Sequence, residues 1–196
     1  MRRIGLFGGT FDPVHTGHLL LADAVRGNAG LEKIVFVPAA VPPHKPGGPS
    51  SGADDRLAMV RLAIEGNPGF EVEDLELRRP GASFTVDTLA ELQASPEWGD
   101  AEWFLLMGAD MLADLPNWKD PDEIVRRAGL LVMERPGFDV REMKTRFASE
   151  AVMVKTPSLG ISSTQIRRRI REGAPIRYWV PDAVEAYIRE KGLYRS

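Results

Sequence analysis

The sequence predicts an α/β fold, a mostly parallel sheet with helices on both faces, and three observations carry that expectation. Short apolar runs alternate with longer amphipathic ones, which is the βαβ signal. The runs at 4–7, 103–107 and 130–133 are continuously hydrophobic, as parallel strands covered on both faces must be. The chain has 196 residues, long enough for one such unit with a real core. No repeat or linker divides it, so residues 1–196 are expected to form a single domain.

In chain order, strands are expected at 4–7, 34–37, 70–72, 103–107, 130–133 and 152–154. Helices are expected between them around 17–26, 54–65, 85–94, 120–127 and 139–148. Two more follow the last strand, near 163–172 and 181–191. In the second helix Leu57, Val60 and Ile64 recur at helical spacing and give it a face to lay on the sheet. In the penultimate one, Ser162 and Gln165 have capping-box spacing. Ile166 and Ile170 supply its buried side, and Gly173 suits its C′ position. For the last helix, Pro181 fits the first turn, Asp182 puts negative charge at the positive end, and Gly192 is a stop. The stretch 46–52 reads as a loop: a surface connection by composition, or a lid edge by its position after Pro42-Pro43-His44-Lys45.

Bulk properties exclude several classes. Hydrophobic residues at 43% and charged residues at 27% are ordinary globular values and argue against disorder. A formal net charge of −3 argues against a protein that coats nucleic acid, although a cleft can still focus positive potential. With no cysteine there is neither a disulfide nor a thiolate metal site. The apolar run after Met1-Arg2-Arg3 stops at Gly8, short of a signal-peptide core. No stretch approaches the roughly 20 apolar residues needed to span a bilayer. A cytoplasmic location, with no membrane and no nucleic-acid partner, is the expectation.

Two segments carry chemistry. At the end of the first strand, Gly8 and Gly9 allow a tight turn and close backbone approach. The pair belongs to neither a dinucleotide fingerprint nor a Walker sequence. The segment continues instead into His15-Thr16-Gly17-His18, two histidines on one face of a helical turn. At a helix N-terminus they would converge on an anion, and Gly17 would leave room for it. A zinc pair would more often be spaced i,i+4 and needs a third ligand; two ordinary, partly exposed histidines are the plain alternative. In the second segment, Ser162, Ser163, Thr164 and Arg167 put hydroxyls, backbone N–H groups and an early guanidinium at a helix start, a phosphate cradle. Arg168, Arg169 and Arg171 read as a solvated basic face or an interface, so a homo-oligomer stays open.

Together these segments resemble the nucleotidyltransferase superfamily, marked by an early His-x-Gly-His and a late Ser-rich phosphate helix. Within it the chain is similar to the bacterial nicotinate-nucleotide adenylyltransferases. The similarity runs through the stretch Gly8 to His18, Pro42-Pro43-His44-Lys45, Ser83-Phe84-Thr85-Val86-Asp87-Thr88-Leu89, Gly108-Ala109-Asp110, Trp118 and Ile161 to Arg167. The resemblance implies a Rossmann-like domain and a reaction in which nicotinate mononucleotide attacks the α-phosphorus of ATP, forming deamido-NAD and pyrophosphate. It implies no covalent intermediate, only positioning and charge stabilisation. Catalytic roles then fall to His15, His18, Lys45 and Arg167. ATP contacts fall to Gly8, Gly9, Thr10, Phe11, His15, His18, Ser162, Ser163, Thr164 and Arg167. His44, Lys45, Thr85, Asp110 and Trp118 would hold the mononucleotide, with Thr85 at the carboxylate, Trp118 stacked on the ring and Asp110 on ribose hydroxyls. Mg²⁺ would ride on the ATP phosphates and water, with no protein ligands of its own.

As plain sequence features Thr85 is a helix cap, Trp118 a packing aromatic and Asp110 another cap. One departure is Lys119, where the family often has an aromatic residue; it would pair with the substrate carboxylate or face solvent. The rival enzyme is pantetheine-phosphate adenylyltransferase, which shares the His and Ser signatures. A non-catalytic nucleotide sensor is the rival of another class, and would be expected to carry a damaged His-x-Gly-His or lack the phosphate Arg. Neither mark is present.

Overall fold

The computed structural model describes residues 1–41, 48–133 and 145–195. Six strands, β1 (Arg3–Gly9), β2 (Lys33–Pro38), β3 (Phe70–Val72), β4 (Glu102–Gly108), β5 (Ala128–Met133) and β6 (Ala151–Val154), form one sheet. Its order is β3-β2-β1-β4-β5-β6, and every adjacent pair is parallel. The chain therefore winds outward in one direction from β1 and then in the other from β4. The C-terminal ends of these two central strands border a switch point, where open α/β sheets leave a crevice.

The uninterrupted apolar strands are explained by the two cores. Successive side chains of a strand face opposite ways. Ile34 and Phe36 of β2 enter one core, while Val35 and Val37 enter the other. The first core lies under α1 (Thr16–Asn28), α2 (Ala53–Ile64), α7 (Ser163–Arg171) and α8 (Asp182–Lys191). The second lies under α4 (Thr85–Ala94), α5 (Ala109–Asp114) and α6 (Pro121–Arg127). Helices thus cover both faces, as expected. Gly192, at φ +64, ends α8, and Gly173, at φ +68, follows α7, both at the stops read from the sequence.

Three local differences emerge. A four-residue helix, α3 (Leu75–Arg78), and a 3-10 turn, Leu115–Asn117, were not foreseen, being too short to show periodicity. The helix expected at 139–148 falls partly outside the described residues, and 145–150 forms turns rather than helix. Phe147, at 2% exposure, anchors that turn in the second core. The 46–52 loop is no simple surface connection at its far end: Ser50 and Ser51 are tied down to Asp12. Among the described residues no helix is long and apolar enough to cross a membrane.

Candidate active site

The strand β1 delivers its glycines to the C-terminal edge of the sheet, and the chain enters α1 seven residues later. His15 is the N-cap of α1. Its Nδ1 accepts the backbone N–H of His18 at 3.2 Å, and His18 Nδ1 accepts the backbone N–H of His15 at 3.2 Å. The two rings stack at 3.6 Å between centroids. This is a capping box built from imidazoles. Gly17 is required by it: a Cβ there would lie 3.0 Å from His15 Nδ1. The room at Gly17 therefore belongs to the His15 ring rather than to a ligand. His15 is buried, and the lost hydration pulls its pKa down to about 4. With each Nδ1 accepting a backbone N–H, a neutral ring carries its proton on Nε2 and is a hydrogen-bond donor there.

Behind the histidines, the Phe11 ring is buried at φ +48 and packs edge-on against His18 at 5.1 Å. Its side chain belongs to the core, so only its backbone can face a ligand at the edge. The start of α7 docks on the same segment. Ser162 caps it by accepting the Gln165 N–H at 3.3 Å, and Ser163 donates its hydroxyl to the Pro13 carbonyl at 2.9 Å. Arg167 donates to the Asp12 carbonyl at 2.7 Å and to Thr164 Oγ1 at 3.4 Å. The two segments singled out by sequence, far apart in the chain, are thus in direct contact. The Ser163 hydroxyl is committed to the backbone, so a phosphate would meet chiefly the backbone N–H of this residue.

Two clefts flank this edge. The first, about 280 Å³, is lined by Gly8, Gly9 and Thr10 on one side and by Thr85, Trp118 and Lys119 on the other. Thr85 is the first residue of α4, with Phe84 as the N-cap. Trp118 is half-buried and donates its indole N–H to Asp114 at 3.1 Å. Lys119 is exposed, with its charge already paired. Its Nζ lies 2.9 Å from both carboxylate oxygens of Asp87 and 5.0 Å from the Phe84 ring centre. The second cleft, about 670 Å³, is lined by Leu21 of α1, Gly108, Met133, and residues 157–162 with Gln165. Asp110, exposed in the first turn of α5, lies between Gly108 of the second cleft and Met111 of the first. A Cβ on Gly108 would meet its Oδ1 at 2.5 Å. His44 and Lys45 lie outside the described residues.

Four residues escaped the sequence reading. Asp12 is buried at 4% exposure; its carboxylate accepts from Ser50 N–H, Ser51 Oγ and Tyr194 Oη. Burial alone would push its pKa up, but those donors and the Arg167 charge hold it below the usual carboxylate range. Arg56, 1% exposed, donates to the Thr10, Ala39 and Ala40 carbonyls, clamping the loops that leave β1 and β2. Glu76 lines the first cleft and accepts from Thr88 Oγ at 2.6 Å; burial pushes its pKa up. Arg56 had one available signal, since it stands four residues before Val60 on the buried stripe of α2. Tyr194 and Glu76 had none. Among the described residues no trio of acidic or histidine side chains gathers as a metal site.

A family model described as cytidylyltransferase-like matches residues 6–169. A probable nicotinate-nucleotide adenylyltransferase of Thermomicrobium roseum is 45% identical over 202 residues, covering 100% of this chain and 93% of its own. One from Thermus thermophilus is 46% identical over 193 residues, covering 98% and 100%. Among solved structures, Plasmodium falciparum nicotinic acid mononucleotide adenylyltransferase complexed with NaAD superposes with a TM-score of 0.78 at 18% identity, covering 99% of this chain and 98% of that one. That last likeness is one of fold.

Proposed function

The chain belongs to the nicotinate-nucleotide adenylyltransferases of the cytidylyltransferase-like superfamily, and from that premise we propose that it transfers the adenylyl group of ATP to nicotinate mononucleotide. The mononucleotide 5′-phosphate oxygen forms a bond to the α-phosphorus of ATP. The bond from that phosphorus to the β-phosphate bridging oxygen breaks, and pyrophosphate leaves, with deamido-NAD as the other product. The observation that supports this most is the pair of clefts at the C-terminal ends of β1 and β4, one lined by Gly8–Thr10 and the other by Gly108 and the start of α7, together with the imidazole-capped N-terminus of α1 that the Arg167 helix contacts.

In this reading the first cleft takes the mononucleotide, with Trp118 against the pyridine ring and the N-terminus of α4 at Thr85 toward its carboxylate. The second takes the nucleoside of ATP. Asp110, on the rim between them, receives ribose hydroxyls. The triphosphate lies along Gly8, Gly9, Thr10 and the Ser162–Arg167 turn, and Arg167 neutralises the departing pyrophosphate. His15 and His18 donate to phosphate oxygens, where charge builds in the transition state. Lys45, with His44, adds positive charge from the stretch of chain that follows β2. The attacking phosphate is already anionic, so no general base is required. Mg²⁺ enters with ATP and, when bound, neutralises phosphate charge there.

Purified protein supplied with ATP, Mg²⁺ and one acceptor at a time tests the proposal. Pyrophosphate release is expected with nicotinate mononucleotide, less with nicotinamide mononucleotide, and none with phosphopantetheine. Release with phosphopantetheine alone would transfer the assignment to the pantetheine-phosphate enzyme. Carboxylate and amide are nearly isosteric, so the first two acceptors differ through one charge and its donors.

A further inference from the structure

The segment that forms the phosphate edge is held from behind by residues that follow α8. Tyr194, 8% exposed, donates its hydroxyl to Asp12 Oδ1 at 2.8 Å across 182 residues of chain. Ser51 Oγ reaches the same oxygen at 2.5 Å and lies 3.0 Å from the Tyr194 hydroxyl. The Ser50 N–H takes the other carboxylate oxygen at 2.7 Å. At the same residue, Arg167 Nη1 donates to the Asp12 backbone carbonyl at 2.7 Å and lies 4.0 Å from Oδ2. Asp12 therefore receives the post-α8 segment on its side chain and the phosphate-helix arginine on its backbone.

The arrangement goes beyond packing. Tyr194 adopts φ +64, a left-handed conformation that costs a non-glycine residue stability unless its surroundings impose it. A phenylalanine would fill the same ring volume in the first core. What the hydroxyl adds is a third donor on a buried carboxylate that Arg167 approaches to 4.0 Å and whose charge Arg56 also feels. A carboxylate short of donors would turn toward those arginines and draw Arg167 off the phosphates proposed for it.

We propose that Tyr194 is a positioning residue for the ATP phosphates, acting through Asp12 on Arg167. This rests on the adenylyl transfer proposed above. It places the effect on ATP and not on the mononucleotide, since no residue of this network except Thr10 and Ala39, held through Arg56, lines the first cleft.

Tyr194→Phe is the test. Losing one hydrogen bond to a charged group that acts indirectly is expected to lower kcat/KM for ATP roughly tenfold. KM for nicotinate mononucleotide should stay within about twofold. A purely structural role would reduce kcat in proportion to the lost folded fraction and leave both KM values alone; that outcome overturns the proposal, as does unchanged kcat/KM for ATP. If Tyr194→Phe does not fold, Ser51→Ala removes the neighbouring donor to the same oxygen. A smaller loss in the same direction is then expected, and wild-type ATP kinetics would overturn the idea. Calorimetric titration with a non-hydrolysable ATP analogue separates the two levels. If wild type released no pyrophosphate, the reaction reading would fail, while an affinity difference between wild type and Tyr194→Phe would still decide the role of Tyr194.

Discussion

The phosphate edge and the first cleft are built on opposite principles. Along the edge, charged and polar side chains are buried (His15, Arg56) or half-buried (His18, Arg167) and bonded to backbone: His15 and His18 to each other's N–H groups, Arg56 to three carbonyls, Arg167 to the Asp12 carbonyl. In the cleft, polar side chains are paired chiefly with other side chains: half-buried Trp118 with Asp114, exposed Lys119 with Asp87, and buried Glu76 with Thr88. A site that stabilises charge developing in a transition state gains from dipoles fixed in advance. A site that grips a flat ring gains from surface and shape. The edge should therefore govern kcat and the cleft KM.

The strongest way to break that division is His18→Ala. Removing a donor aimed at developing charge is expected to lower kcat by about 10³. The KM for nicotinate mononucleotide should hardly change in a steady-state assay, and a variant that kept its turnover would remove His18 from the role given to it. Trp118→Ala probes the other side. Loss of a stacking surface worth roughly 1–2 kcal/mol should raise the mononucleotide KM about tenfold with kcat nearly preserved. A drop in kcat alone would mean that the ring does not rest there.

The edge also predicts a pH signature through His15. His15 titrates near 6.5 when unfolded and at about 4 in the fold, so below 6.5 the unfolded chain takes up the extra proton. Stability tied to His15 is present above pH 6.5, is lost as pH falls toward 4, and then levels off. The whole effect is roughly 3 kcal/mol. Thermal melts at pH 7 and pH 4.5 should show a smaller acid loss in His15→Asn than in wild type. Equal losses would contradict the buried, neutral assignment. Asp12, whose pKa its donors hold below the usual carboxylate range, contributes in a lower window.

The smallest effect belongs to Lys119→Ala. Its charge is already matched by Asp87, and an exposed pair contributes at most about 1 kcal/mol. The ratio of kcat/KM between nicotinate and nicotinamide mononucleotides should then move by no more than about threefold. A tenfold collapse of the preference would make Lys119 the reader of the carboxylate.

The same contrast explains what was legible in the sequence. All six strands were placed: the buried parallel ones announce themselves as apolar runs, and the short edge strands β3 and β6 as brief clusters of Val, Phe and Met. His15, His18 and Ser162 were visible because helix capping demands fixed residue types at fixed spacing near a helix start, and Arg167 because it stands in the first turns of the Ser162-capped helix. The first cleft is assembled from β1, α3, α4 and the turn after α5, and no local spacing links those pieces. Glu76 sits on a helix of one turn and looks like an ordinary surface acid in sequence. The Tyr194–Asp12 contact joins the two extremes of the described chain, and the Asp87 partner of Lys119 lies 32 residues away. Long-range polar pairs of this kind leave no periodic trace.

The central claim is that the edge supplies position and charge but no nucleophile, so that phosphate meets phosphorus directly. The stereochemical course at the α-phosphorus tests this. Turnover of a single diastereomer of ATP carrying sulfur on the α-phosphate, with nicotinate mononucleotide as acceptor, is predicted to give product with inverted configuration. Retention would require two displacements, with an adenylyl group carried on the protein between them, and would contradict the account.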